Sequence, residues 1–250
     1  MDLLENLQNS LIFYPSKDFY PLPDALKYEE VFVRTIDREK LHGYFLPAAV
    51  ETDHTIIYLH GNAENVSSWY EACVEIQKHV NVNALIVDYR GYGKSTGNPT
   101  IEGVINDALA TYDFLIERKI SPENISVYGR SIGGAVALEL ASKRTVKSVV
   151  VQSSFTSLMD IGKELYPFVP QSLINVRFWN SVELIKRIQI PVLISHGDRD
   201  EIVPVSHSYK LFEAANNPKK LIILKGAAHN DISSYFNEEY FSVLKEFFID

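Results

Sequence analysis

The sequence predicts an α/β fold, a mostly parallel sheet with helices packed on both faces, and three observations carry that expectation. Beyond residue 54, four apolar runs at Thr55–Leu59, Ala84–Val87, Ile125–Tyr128 and Ser148–Val151 alternate with helical stretches at Ala63–His79, Ile101–Lys119 and Ser131–Arg144. Regular alternation of this kind is the mark of parallel crossover units. Second, Ile125–Ala141 reads ISVYGRSIGGAVALELA, a β-rich run that turns through GRSIGG directly into a helical pattern. Third, each polar motif of interest directly follows an apolar run, and open parallel sheets hold their ligands beyond the carboxyl ends of their strands. The 250 residues contain no Ser/Gly/Pro-rich linker, internal repeat or block of like charge. A single domain spanning 1–250 is therefore expected.

Taken in order, Leu3, Leu4, Leu7, Leu11 and Ile12 recur at helical spacing and give the first dozen residues an apolar face. That face either packs on the domain or docks on a membrane or partner. Phe13-Tyr14-Pro15 and Pro21-Leu22-Pro23 break the period and read as an extended lead-in. Glu30–Ile36 and Leu41–Leu46, separated by the charged turn Asp37-Arg38-Glu39-Lys40, predict an antiparallel hairpin. After the alternating units come two more strands, Val192–Ser195 and Leu221–Leu224, and a final amphipathic helix from about Ile232 to Phe248.

Composition narrows the function. A net charge of -8 without Lys/Arg clusters argues against nucleic acid or an anionic membrane surface as the main partner. Cys73 is the only cysteine, so no internal disulfide can form, which fits a reducing cytoplasm. Its helical setting, with no basic residue beside it, reads as that of a buried structural thiol. The first residues lack the basic start and apolar core of a signal peptide, and no run is long enough to span a bilayer. A soluble intracellular protein is expected.

The chemistry centres on Ser131. A reversal from strand to helix brings backbones close together, so glycine is needed at Gly129 and Gly133, and Ser131 at the tip is held strained with its hydroxyl exposed over a helix N-terminus. This is a nucleophile elbow; the bland reading is a serine that caps the helix. After Thr55–Leu59 comes His60-Gly61-Asn62-Ala63, where the backbone amide of Asn62 is placed to join that of Ile132 in binding a developing oxyanion, with His60 read as structural. In Asp88–Ser95 the GKS sequence lacks phosphate-loop spacing, and Asp88 and Arg90 read as a structural ion pair or as turn-holding contacts. In His196–Pro204 both Asp198 and Asp200 could orient a catalytic histidine. Asp200 is preferred, because the apolar Ile202-Val203-Pro204 anchors its side of the loop while Asp198 suits closing the turn with its own backbone.

Of the seven histidines, only His229 follows Ser131 and the acidic candidates in the order Ser, Asp, His. His42, His54, His79 and His207 sit in turn or surface-like contexts, His196 shares the structural setting of His60, and Asp231 reads as a helix N-cap or a surface charge. The chain contains no HExxH, no paired cysteines and no GxGxxG after an early strand, so neither a metal nor a dinucleotide cofactor is expected.

With GRSIGG, HGNA, DYRGYGKSTG, HGDRDEIVP and GAAHND in this order, the chain resembles the α/β-hydrolase superfamily over about Phe13–Phe248. It looks most like the branch of small serine hydrolases that holds serine-aminopeptidase-like and depalmitoylase-like proteins. The resemblance implies an eight-stranded α/β-hydrolase fold with a small helical lid after the sixth strand, here about Ser153–Gln189. It also implies Ser131 as nucleophile, Asp200 as acid, His229 as base, and the amides of Asn62 and Ile132 as oxyanion hole. Branch members often carry a membrane anchor or a cysteine-rich lipidation segment, and neither pattern occurs in this sequence. Phe155, Met159, Leu165, Tyr166, Phe168, Val169, Phe178 and Trp179 of the lid either line an acyl pocket or pack as core. The expected reaction is acyl transfer from an ester or thioester to water. The alternatives are an aminopeptidase or amidase, and a silent binding protein on the same scaffold.

Overall fold

A computed structural model describes residues 3–168 and 179–250. The chain opens with helix α1 (Leu3–Ile12) and the two-residue strand β1 (Tyr14–Pro15), followed by the hairpin β2 (Glu29–Arg34) and β3 (Lys40–Leu46). Next come β4 (Thr55–Leu59), the short β5 (Ala63–Glu64), α2 (Val66–His79), β6 (Asn83–Val87), α3 (Ile101–Glu117), β7 (Ile125–Arg130), α4 (Ile132–Ala141) and β8 (Ser148–Gln152). The lid carries α5 (Leu158–Leu165) and α6 (Ser181–Ile185), and β9 (Val192–Gly197), α7 (Ser206–Ala214), β10 (Lys219–Leu224) and α8 (Glu238–Phe248) complete the chain.

Eight strands form one sheet in the order β2-β3-β6-β4-β7-β8-β9-β10. All neighbours pair in parallel except β3, which runs antiparallel to both β2 and β6. Successive side chains of a strand point to opposite faces, and the two cores follow from that. Ile57, Leu59, Val127, Val149 and Val151 join the core beneath α3 and α4, whereas Ile56, Tyr58, Tyr128 and Val150 join the one beneath α2 and α8. Helix α4 is buried from Ile132 through Leu140. A helix apolar all round belongs in a protein's centre, and here it lies against β7 and β8. Cys73 is buried within α2, where loss of solvent pushes its thiol far above the usual range.

Helix starts follow their caps. Asn65 accepts from the Ser67 amide, Thr100 from Gly103 and Ser157 from Asp160, each contact stabilising its helix by about 1 kcal/mol. The expected helix at Ala63–His79 starts only at Val66, because Ala63 and Glu64 pair in parallel with Tyr14 and Pro15. The expected helix at Ile232–Phe248 is two elements, a 3-10 turn at Ile232–Tyr235 and then α8, because the Asn237 side chain accepts from the Tyr240 amide and starts a new helix there. Helix α7 was not anticipated.

The histidines His42 and His207 are not surface-like. Both are fully buried, His42 hydrogen-bonded to Glu30 (2.8 Å) and His207 to Glu164 (3.0 Å) and Thr156 (2.9 Å). Asp88 and Arg90 hold turns, but not by pairing with each other. Asp88 accepts from the Val66 amide (2.8 Å), while Arg90 donates to Asp107 (2.8 Å) and Asp37 (2.6 Å). Burial pushes the Asp107 carboxyl up to about 6 against the pull of Arg90, whereas the hydrogen bonds from Arg90 hold the less buried Asp37 down at about 2.

Candidate active site

The crossing of β7 and α4 fixes the first component. A methyl group at Gly129 would lie 2.1 Å from the Gly133 carbonyl oxygen, and one at Gly133 would lie 2.1 Å from that of Leu59. Only glycine permits this approach. Between them Ser131 takes φ 56°, ψ -120°, a left-handed conformation that costs a non-glycine residue about 1–3 kcal/mol. Its amide donates to the Gln152 carbonyl of β8 (2.9 Å), which pins the turn to the neighbouring strand.

Two further loops at the same sheet edge supply the partners. His229 Nε2 lies 3.2 Å from Ser131 Oγ, and His229 Nδ1 lies 2.6 Å from Asp200 Oδ2. The carboxylate only accepts, so the imidazole proton sits on Nδ1 and Nε2 faces the serine hydroxyl as acceptor. Asp200 Oδ1 accepts the amides of Ile202 (2.9 Å) and Val203 (2.8 Å), so the carboxylate plane is set by its own loop. Burial raises the Asp200 pKa, but hydrogen bonds from His196 and His229 outweigh it and hold the carboxyl well below the usual range.

The His229 loop is tied from three sides. Asp198 accepts the Gly226 amide (2.6 Å), Asp231 accepts the Ala228 amide (2.7 Å), and the Arg130 guanidinium donates to the His229 carbonyl (2.8 Å). Asp198 therefore braces the neighbouring loop rather than its own backbone. Asp231 stands at the start of the 3-10 turn, as expected of a cap, but its side chain bonds backward to the histidine loop. Sequence reading missed Arg130, although it adjoins the nucleophile. It also missed that His196 Nε2 reaches the acid, 3.0 Å from Asp200 Oδ2. His60, by contrast, is buried on the Gly61 carbonyl (2.7 Å) and against the Tyr89 ring, where desolvation lowers its imidazole pKa.

Asn62 and Ile132 both line the cavity onto which Ser131 opens. Ile132 begins α4, so its N–H is one of those left without an intrahelical acceptor at the positive end of the helix. The Asn62 carbonyl accepts from Tyr92 Oη (2.7 Å) and from the Tyr14 amide (2.9 Å), and its side chain donates to the Ile12 carbonyl (3.1 Å).

The cavity, about 310 Å³, is mostly apolar. Of the expected lid residues, Phe155, Leu165, Tyr166 and Trp179 line it. Met159 is not in its wall, Phe168 is almost wholly exposed, and Val169 and Phe178 lie outside the described residues. Leu158 and Ile161 also line it, and with Leu165 they form a stripe at positions i, i+3 and i+7 that could have been read from the sequence. Leu11 and Ile12 of α1 complete the wall. The carboxyl end of that apolar face, Leu11 and Ile12, thus packs on the domain at the mouth of the site, while Leu7 stays half-exposed. A second, more polar cleft shares Trp69, Arg130 and Asn230 with the first and is lined by Glu64, Glu71 and Ser233. Among the described residues no helix is long and apolar enough to cross a membrane.

A serine, a histidine and a buried carboxylate in one hydrogen-bonded line, at the carboxyl edge of a parallel sheet, are the arrangement of an α/β hydrolase. The α/β hydrolase fold family matches residues 54–178, and the acetyl xylan esterase family matches residues 171–247. The chain is 34% identical over 230 residues to an uncharacterized protein of Mycobacterium tuberculosis, covering 90% of this chain and 81% of that one. It is 32% identical over 264 residues to protein bem46 of Schizosaccharomyces pombe, covering 99% and 87%. Among solved structures, an esterase of Pyrococcus furiosus superposes with a TM-score of 0.76 at 25% identity, covering 94% of this chain and 97% of that one. This chain belongs to the α/β hydrolase fold family, with esterases among its structural neighbours.

Proposed function

We infer that the protein is a serine hydrolase that cleaves carboxylic ester or thioester bonds through an acyl-enzyme. The observation that carries this reading is the unbroken line from Asp200 through His229 to Ser131, with links of 2.6 and 3.2 Å, opening onto an apolar cavity. His229 Nε2 takes the hydroxyl proton as Ser131 Oγ attacks the carbonyl carbon, and Asp200 stabilises the imidazolium that forms. The amides of Asn62 and Ile132 bind the oxygen that becomes negative. A single such donor contributes about 10²- to 10³-fold in rate. As the tetrahedral intermediate collapses, His229 returns the proton to the leaving alcohol or thiol. It then activates the water that releases the acid.

The acyl group sits among Leu158, Ile161 and Trp179, and the leaving group departs on the His229 side, toward the cleft that shares Arg130 and Asn230. An aminopeptidase would need a carboxylate in the cavity to receive the substrate ammonium. Among the described residues no Asp or Glu lines it, and the lid acids Asp160 and Glu164 are bonded to Thr156 and His207. The resemblance of the chain to esterases supports the same choice.

The test is a panel of p-nitrophenyl esters from acetate to palmitate beside aminoacyl anilides, together with labelling by a fluorophosphonate. Esters should turn over, anilides should not, and the label should sit on Ser131. Ser131→Ala should lose both turnover and label while melting like the native protein. Ester turnover that survives in Ser131→Ala would remove the mechanism.

A further inference from the structure

A second imidazole bears on the acid. His196 lies in β9, fully buried, and makes three contacts: Nδ1 with Ser208 Oγ (2.6 Å), and Nε2 with the Val203 carbonyl (2.7 Å) and Asp200 Oδ2 (3.0 Å). A carbonyl and a carboxylate can only accept, so the proton is on Nε2, and Nδ1 receives the Ser208 hydroxyl. The two acceptors at Nε2 thereby select the tautomer, and the Ser208 hydroxyl, donating to Nδ1, holds the ring in place. The result is a buried chain from Ser208 through His196 to Asp200, and on through His229 to Ser131.

Asp200 then accepts three hydrogen bonds, from the amides of Ile202 and Val203 on Oδ1 and from His229 on Oδ2, and the His196 Nε2–H, which is donated to the Val203 carbonyl (2.7 Å), lies beside Oδ2 as a fourth contact at 3.0 Å. The amides alone would let the carboxylate rock about its Oδ1 end. The second oxygen is bonded to His229, and the positive Nε2–H edge of the His196 ring lies 3.0 Å from it, where it can share the carboxylate charge that would otherwise fall on His229 alone. A charged group in contact with this chain from outside it is Arg130 from β7, on the His229 carbonyl.

We propose that His196, with its ring held by Ser208 and the Val203 carbonyl, is a positioning residue for the acid of this hydrolase: it keeps Asp200 Oδ2 in line with His229 and tempers the basicity that Asp200 imparts. The proposal rests on the assignment of Asp200, His229 and Ser131 given above. Misplacing a reacting group by about 1 Å can cost on the order of 10²-fold in rate, so the contact has room to matter.

The test uses the full-length protein and the best ester of the panel. In His196→Leu, kcat should fall about 10- to 100-fold with KM within about twofold. The acid limb of the kcat/KM profile should move to higher pH, because an Asp200 that has lost this contact favours the imidazolium more strongly. His196→Gln, whose amide can still donate toward Asp200, should recover most of both effects. Ser208→Ala is the milder variant. It should lower kcat a few-fold and move the acid limb in the same direction, so it decides the matter if His196→Leu fails to fold. A readout independent of turnover is the low-field proton resonance of His229 Nδ1–H, which should move in His196→Leu and return in His196→Gln. A folded His196→Leu or Ser208→Ala with native kcat, native acid limb and an unmoved resonance overturns the proposal. Absence of ester turnover in the native protein would instead strike the proposed function, with the resonance still testing the contact.

Discussion

Replacing Asp200 by asparagine changes one atom, and the surrounding hydrogen bonds dictate which way the new amide faces. Oδ1 accepts the amides of Ile202 and Val203, so the amide oxygen must stay there. The NH₂ group then points at the position of Oδ2, where His229 Nδ1 and His196 Nε2 both present protons. Two donors cannot share that space, and the imidazole of His229 escapes by moving its proton to Nε2. In that tautomer Nε2 faces Ser131 as a donor and cannot take the hydroxyl proton. The expected loss is about 10⁴-fold in kcat, the scale known for the same change in another serine hydrolase triad, or about 5 kcal/mol of transition-state stabilisation. Asp198→Asn is the matched control. Among the described residues its Oδ1 accepts only the Gly226 amide (2.6 Å), which an amide oxygen can also do, so the cost should be about 1 kcal/mol of loop stability and less than about tenfold in turnover. Steady-state hydrolysis of one p-nitrophenyl ester by both variants is the assay. Comparable losses, or a larger loss in Asp198→Asn, would refute the assignment of the acid.

Three further outcomes are expected. Gly129→Ala places a methyl group 2.1 Å from the Gly133 carbonyl oxygen and should destabilise the fold by about 3 kcal/mol, seen as a fall of about 6–12 °C in Tm by circular dichroism; a Tm within about 2 °C of native would contradict the crossing geometry. Leu158→Trp fills the cavity wall and should reduce kcat/KM for palmitate relative to acetate by about tenfold or more, and an unchanged ratio would exclude the cavity as the acyl site. Hydrogen bonding to Arg90 holds Asp37 down at about 2 in the folded protein, against about 3.9 unfolded. The stability it contributes is present above about pH 4 and lost as the pH falls toward 2. Because Asp37 is only partly buried, the contribution is modest. Asp37→Asn should therefore show a slightly flatter decline of Tm with acid than the native protein, and an unchanged decline would mean that the pair carries no proton linkage.

The parts of this fold that were legible in the sequence are those with local causes. The strands that carry the site are continuous apolar runs because the sheet is covered on both faces, and the elbow is visible because only glycine tolerates the approach at residues 129 and 133. The chemistry of a nucleophile, a base and an acid confines them to Ser131, His229 and one of two aspartates, and the coordinates bring those three together at hydrogen-bonding distance. What escaped notice depends on contacts far apart in sequence. Nothing local to His42 or His207 foretells burial against Glu30 or Glu164. The Arg130 contact spans 99 positions to His229. His196 is close to Asp200 in sequence, yet a histidine at the end of a strand looks the same whether it touches a carboxylate or a carbonyl. The break at Asn237 was readable as a helix cap, but the apolar period runs through it and conceals it.

The carboxyl end of the first helix ties the cavity wall to the Asn62 loop. Leu11 and Ile12 form part of the cavity onto which Ser131 opens, Ile12 and Tyr14 are bonded to Asn62, and the Tyr166 hydroxyl of the lid meets both the Tyr14 hydroxyl (3.3 Å) and the Leu11 carbonyl (3.3 Å). A substitution that shortens Leu11 or Ile12 would therefore act on two things together, the wall of the cavity and the loop that carries Asn62, with no change to any of the three residues in the hydrogen-bonded line.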